Sequence, residues 1–149
     1  MYNTKRNVLN RVIALILVLT TFAPLAVSAT APQTRASDYL NSYSAYVSVP
    51  GSRKVQVYYS VTGMNYMDEI GYMRISIYES TDNSNFTCVK TFTDTNTPSL
   101  MAYNKIHHSG YVEYKGVAGR YYKAYVCVWA GENGSGDTRY FWTSAKKAT

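Results

Sequence analysis

The chain has 149 residues, with 15 Lys and Arg against 9 Asp and Glu, two cysteines, 16 tyrosines and 16% charged residues. That length holds one domain plus a targeting segment and excludes two ordinary domains. Beyond the first 29 residues the cations are scattered, with Arg53-Lys54 and Lys146-Lys147 as adjacent pairs, so there is no clustered basic footprint for nucleic acid.

Lys5, Arg6 and Arg11 give the start positive charge, Val12 to Val27 is almost wholly apolar, and Val27-Ser28-Ala29 places small residues where a signal peptidase cuts. The apolar run covers 16 residues and is interrupted by Thr20, Thr21 and Pro24. A bilayer needs roughly 20 apolar residues, so residues 1–29 read as a cleavable signal peptide rather than a membrane span. The expected cut lies between Ala29 and Thr30; a cut after Ala31 would leave Pro32 at the amino terminus. Losing 29 residues and three cations leaves 120 residues with a net charge of +3. No cysteine follows the signal to take lipid, and residues 141–149 hold no apolar tail, so the expected product is secreted and extracellular, without a membrane anchor.

Residues 30–37 are polar and proline-containing, as a disordered lead would be, and 38–149 is the single domain. Tyr43, Ala45, Val47 and Val49 alternate with polar residues, Pro50-Gly51 suggests a type II turn, and Val55, Val57, Tyr59 and Val61 alternate again. Met64 to Gly71 reads as a loop. Met73, Ile75 and Ile77 then face one way, with Tyr72, Arg74, Ser76 and Tyr78 on the other. Thr81 to Asn85 is a turn, and Phe86 to Thr93 the returning strand. Asp94 to Ser109 is the least patterned stretch, with a short helical turn expected around Ser99 to Tyr103. A short strand at Tyr111 to Tyr114 and a turn at Gly116 to Gly119 follow. Tyr122, Ala124, Val126, Val128 and Ala130 give the clearest apolar face, and Glu132 to Asp137 turns into a last strand, Thr138 to Ser144.

Seven short strands with almost no helical periodicity predict an all-β fold, a seven-stranded antiparallel β-sandwich. The segment Gly116-Val117-Ala118-Gly119-Arg120-Tyr121-Tyr122-Lys123-Ala124-Tyr125-Val126 resembles the glycine turn and sixth-strand entry of immunoglobulin and fibronectin III domains. That resemblance makes Tyr122 a corner tyrosine whose hydroxyl bonds backbone upstream. Met67-Asp68-Glu69-Ile70-Gly71, the Ile75 to Glu79 strand, Val89-Lys90-Thr91-Phe92, His108-Ser109-Gly110 and Gly116-Val117-Ala118-Gly119 are together similar to an uncharacterised family of short secreted proteins of Gram-positive, clostridia-like bacteria with no assigned function. This resemblance implies secretion and architecture and no catalytic residue.

Adjacent His107 and His108 point to opposite sides of an extended chain and cannot readily share an ion, and no Cys-x-x-Cys or acidic cluster accompanies them, so no metal or cofactor is expected. Ser109 has no Gly-x-Ser-x-Gly frame, and the Asp68-Glu69 pair fits backbone orientation better than acid-base chemistry. Asp82 to Asn85 and Asp94 to Asn96 lack calcium-loop spacing. Cys88 and Cys127 are an even pair in an exported chain, the circumstance in which a disulfide forms. Against it, the Ile75/Ile77 strand should separate them, and nonadjacent strands lie about 10 Å apart, beyond the reach of a bridge.

The unusual quantity is aromatic content. Strand parity places Tyr72, Tyr78, Tyr121, Tyr125 and Trp129 on outward faces, as candidate ligand contacts. Cross-strand pairing on a solvent-facing sheet accounts for the same residues without a ligand. The expected function is therefore a noncatalytic secreted binding domain for glycan, cell wall or a protein partner. The alternative is an exported bacteriocin-like effector acting on other cells.

Overall fold

A computed structural model describes residues 37–149; the expected signal peptide, its expected Ala29/Thr30 cut and the expected lead as far as residue 36 lie outside the described residues. Seven strands follow in order: β1 (Leu40–Gly51), β2 (Lys54–Ser80), β3 (Thr87–Thr93), β4 (Met101–Lys115), β5 (Tyr121–Glu132), β6 (Ser135–Trp142) and β7 (Lys146–Lys147). A single 3-10 turn, Pro98–Leu100, precedes β4, close to the helical turn expected there. All pairings are antiparallel, and all seven strands belong to one sheet, curled into a half-barrel.

The organising element is β2, at 27 residues. Its first part pairs with β1 on one edge and β4 on the other, while its second part pairs with β5 on one edge and with the start of β4 and then β3 on the other. We call these parts of the sheet the near and the distal half. The expected loop at Met64 to Gly71 is strand instead: Met67, Glu69, Ile70 and Gly71 pair with Lys105, Tyr103, Ala102 and Met101. Between Thr62 and Met67 the chain advances five positions while β4 moves two, from His107 to Lys105. The surplus forms a bulge, which bends a strand without ending it.

The first hairpin also differs from expectation. Gly51 pairs with Lys54, and the turn residues are Ser52 and Arg53, at φ of 53° and 61°. Two successive positive φ values make the primed turn whose twist matches the flanking strands, so Pro50-Gly51 ends β1 rather than forming the turn. Asn133-Gly134 does the same between Glu132 and Ser135, at φ of 52° and 76°, where the sequence places a hairpin.

The concave face holds the core. Val47, Val55, Val57 and Val61 from the near half meet Ile70, Tyr72, Ile75, Ile77, Val126 and Val128 from the distal half. Each fully buried aliphatic side chain contributes about 1.5–3 kcal/mol. Side chains close the open side between β1 and β6: the Tyr43 and Phe141 rings are 5.4 Å apart. Asp137 accepts the Ser37 hydroxyl at 2.6 Å and the Asp38 N–H at 3.0 Å.

Tyr122 makes the bond to upstream backbone expected of its hydroxyl. Its ring is fully buried, its hydroxyl accepts the Val117 N–H at 2.7 Å, and it donates to Glu79, which also pairs with Arg120. Burial, and then the bond to the Glu79 carboxylate, push the Tyr122 phenol up to about 12.

Candidate binding surface

Antiparallel pairing puts opposed residues on the same face. On the convex face of the distal half, Tyr78 lies opposite Lys123, Ser76 opposite Tyr125, and Arg74 opposite Cys127. On the far side of β5, Tyr125 pairs with Trp142 and Cys127 with Tyr140. The rings touch: Tyr78 to Trp142 is 4.8 Å and nearly edge-on, Tyr125 to Trp142 is 4.8 Å, and Tyr125 to Tyr140 is 6.1 Å and stacked. The Lys123 ammonium lies 4.3 Å from the Trp142 ring centre and 4.1 Å from that of Phe86. Trp142 and Tyr140 remain 47% and 56% exposed. This is the largest connected aromatic surface on the described domain.

The five aromatic residues singled out from sequence do not share one surface. Tyr78 and Tyr125 belong to the group just described. Tyr121 stands opposite Lys147, whose ammonium is 5.4 Å from its ring. Tyr72 is a correction: it is fully buried, and its hydroxyl lies 2.8 Å from the Ser44 carbonyl and 3.2 Å from that of Ser60. A bulge between Tyr72 and Arg74 turns Met73 outward and Tyr72 into the core, which reverses the parity on its amino-terminal side. Burial holds the Tyr72 phenol well above its usual range.

Trp129 stands apart, near the Asn133-Gly134 turn. Its six-membered ring fills the space that a Cβ on Gly131 or Gly136 would occupy, 2.6 Å and 2.5 Å from such an atom. Its indole N–H is buried with no hydrogen-bond partner among the described residues. Asp68, Glu69, Glu132 and Ser135 line the adjoining hollow with it, and Asp68 accepts the Asn133 N–H at 2.7 Å, the orienting role expected of that carboxylate.

The near half carries a second aromatic row. Tyr46, Tyr58 and Tyr111 are consecutive cross-strand partners on its convex face, with ring centres 5.2 Å and 5.3 Å apart. Tyr46 and Tyr58 are stacked within 8° of parallel, so each spends one ring face on the other. Ser60 and Ser109 help line the shallow groove beside this row. The sequence contained a signal for part of what was missed: Tyr140 and Trp142 sit two apart in the last predicted strand and therefore share a face. The Tyr46, Tyr58 and Tyr111 row depended on register across three strands.

The two cysteines are free. Cys88 is on β3 opposite Tyr78 and Cys127 on β5 opposite Arg74, so β2, which carries Ile75 and Ile77, runs between them, the separation that argued against a bridge. Cys88 is exposed, whereas Cys127 is buried and burial pushes its thiol up. His107 meets the Thr62 hydroxyl at 3.1 Å and His108 the Ser99 carbonyl at 2.9 Å. Among the described residues no group of three His, Cys, Asp or Glu could hold a metal ion. Asp82 accepts the Asn85 and Ser84 N–H groups and the Ser80 hydroxyl, which hold its carboxyl well below the usual range inside its own turn. Among the described residues no helix is long and apolar enough to cross a membrane. No known protein family, curated protein or solved structure matches the chain.

Proposed function

We propose that this chain is exported by its amino-terminal signal and acts outside the cell as a noncatalytic binding domain for a glycan, with its convex aromatic surface as the contact. What carries this is one observation: Trp142 and Tyr140 are about half exposed while in contact with Tyr125, itself packed between them. Rings meant only to hold a sheet together need not leave that area in water, and exposed, positioned aromatics are the usual stacking partners of pyranose rings. The charged start, the apolar run from Val12 to Val27 and the small residues before Thr30 are what support export. Within this proposal the curled sheet is a relative of the immunoglobulin and fibronectin III sandwiches, supported by the Tyr122 hydroxyl accepting the Val117 N–H.

The test is a panel of immobilised glycans and cell-wall polymers probed with the purified chain, beside a killing assay on other bacteria. Saturable binding to a polymer, lost in Trp142→Ala and without killing, is expected. Killing without polymer binding would refute the proposal in favour of an exported effector.

A further inference from the structure

The distal aromatic face also carries charge, and its placement bears on what the face binds. Lys123 and Arg74 both project from it, opposite Tyr78 and Cys127. Among the described residues neither makes an ion pair with a carboxylate. The carboxylates nearby in sequence are committed elsewhere: Glu79 to Arg120 and Tyr122, and Asp82 to its turn. Asp94 borders the face at its Arg74 end, where its charge reaches Cys127. The tyrosine row of the near half differs, since Glu113 lies 3.6 Å from the Lys54 ammonium there.

An ammonium with no carboxylate partner among the described residues, held 4.1 Å over the Phe86 ring centre and 4.3 Å over that of the half-exposed Trp142, fixes a geometric requirement. A ring stacked on Tyr140 lies on the Arg74 side of the face, and one stacked on Trp142 takes the face that Lys123 covers, so the ammonium has to swing off the indole to an anion that the ring itself carries. A uronic acid bears its carboxylate on the pyranose ring itself, so stacking and charge pairing fall on one sugar residue. In a phosphodiester-linked polymer the charge sits in the linker, away from the stacked ring. From Met73 to Tyr78 and from Lys123 to Cys127 the convex face offers one aliphatic side chain, the outward Met73 beside Arg74, too little to anchor in a hydrocarbon layer, which argues against a lipid surface. Resting on the binding proposal above, we infer that this face binds a polyuronate, with Trp142 and Tyr140 stacking on its sugars and Lys123 and Arg74 meeting its carboxylates.

The experiment titrates the full chain with polygalacturonate and with the same polymer methyl-esterified, which keeps the rings and removes the charge. Tryptophan fluorescence reports binding, with polyglycerol phosphate and phosphatidylglycerol vesicles as further arms. Polygalacturonate should bind about tenfold or more tightly than its ester, and the preference should fade as salt rises. Lys123→Gln should bring the two polymers to similar affinity, and Tyr111→Ala, in the near half, should leave the preference intact. Circular dichroism checks each variant; if Trp142→Ala does not fold, Lys123→Gln and Arg74→Gln decide the matter. Equal binding of acid and ester would overturn the polyuronate inference and leave glycan binding standing. Binding of the phosphate polymer or the vesicles alone would overturn it as well, and no binding to any glycan, here or in the wider panel, would remove both.

Discussion

Replacing Tyr122 by Phe removes a single oxygen from a fully buried ring, which makes it a direct probe of the corner that joins β2, β5 and the 116–119 turn. Two bonds go with that oxygen: the one accepted from the Val117 N–H at 2.7 Å and the one donated to Glu79. A neutral bond is worth about 1 kcal/mol net, and one to a charged group about 1.5–3 kcal/mol. The two do not simply add, because Val117 is exposed and water can replace the first, while Glu79 keeps Arg120. A loss of about 2–3 kcal/mol follows, most of it from the carboxylate bond. For a domain of this size that corresponds to a fall in melting temperature of about 4 °C or more per kcal/mol. Urea unfolding at pH 7 with an unchanged slope is the assay, and Tyr121→Phe, one residue away and partly exposed, should stay within about 0.5 kcal/mol of the parent. A double-mutant cycle with Glu79→Gln should show a coupling of about 1 kcal/mol. If Tyr122→Phe costs no more than Tyr121→Phe, the hydroxyl does not hold the corner.

Three further outcomes are expected. Thiol labelling of the native protein should modify one cysteine per chain, the exposed Cys88, and a second only after denaturation, because Cys127 is buried and its thiol raised; two rapid equivalents, or none after denaturation, would contradict the placement. Asp137 is held below its usual carboxylate range chiefly by the Ser37 hydroxyl, with the Tyr39 and Asp38 N–H groups and Arg139 adding to it. Its contribution is therefore present above the ordinary Asp pKa and lost as pH falls through the depressed native one, so the protection factors of amides 38–40, taken relative to the intrinsic exchange rate at each pH, should fall on acidification in the parent and stay flat in Asp137→Asn. Gly136→Ala should destabilise by about 1–3 kcal/mol, since its Cβ would lie 2.5 Å from both the Trp129 ring and the Ala130 carbonyl; an unchanged midpoint would show that the indole can move aside.

Legibility from sequence followed the physics of the strand. Period-two alternation is local, so where pairing is regular it identified both face and strand: Val55, Val57, Val61, Val126 and Val128 are buried as expected. The Asn-Gly turn and the Tyr122 corner were visible because each depends on a few residues with specific dihedral or hydrogen-bonding properties. Bulges carry no such mark. The two in β2 had different costs: the one after Thr62 made a 27-residue strand look like two strands and a loop, and the one at Met73 reset parity. Residues beyond the reset, such as Tyr78, kept their predicted face; Tyr72, just before it, did not. The count of seven strands was reached by different means, since two predicted strands are one, the fifth begins at Met101 rather than Tyr111, and Lys146–Lys147 supplies another.

The candidate surface divides along the same line. Tyr125, Tyr140 and Trp142 each lie on the face that parity gives them, yet parity alone cannot say which outward residues are neighbours. Register does that, by setting Tyr125 opposite Trp142 and Cys127 opposite Tyr140. Trp129 shows the difference, for it is also on an odd-numbered position of β5 but is opposed by Gly71 and Thr138, with no aromatic beside it. An indole with aromatic neighbours becomes part of a surface; one beside glycines lies down over them, as Trp129 does over Gly131 and Gly136. Trp142, not Trp129, is therefore the residue on which a test of ligand binding should turn.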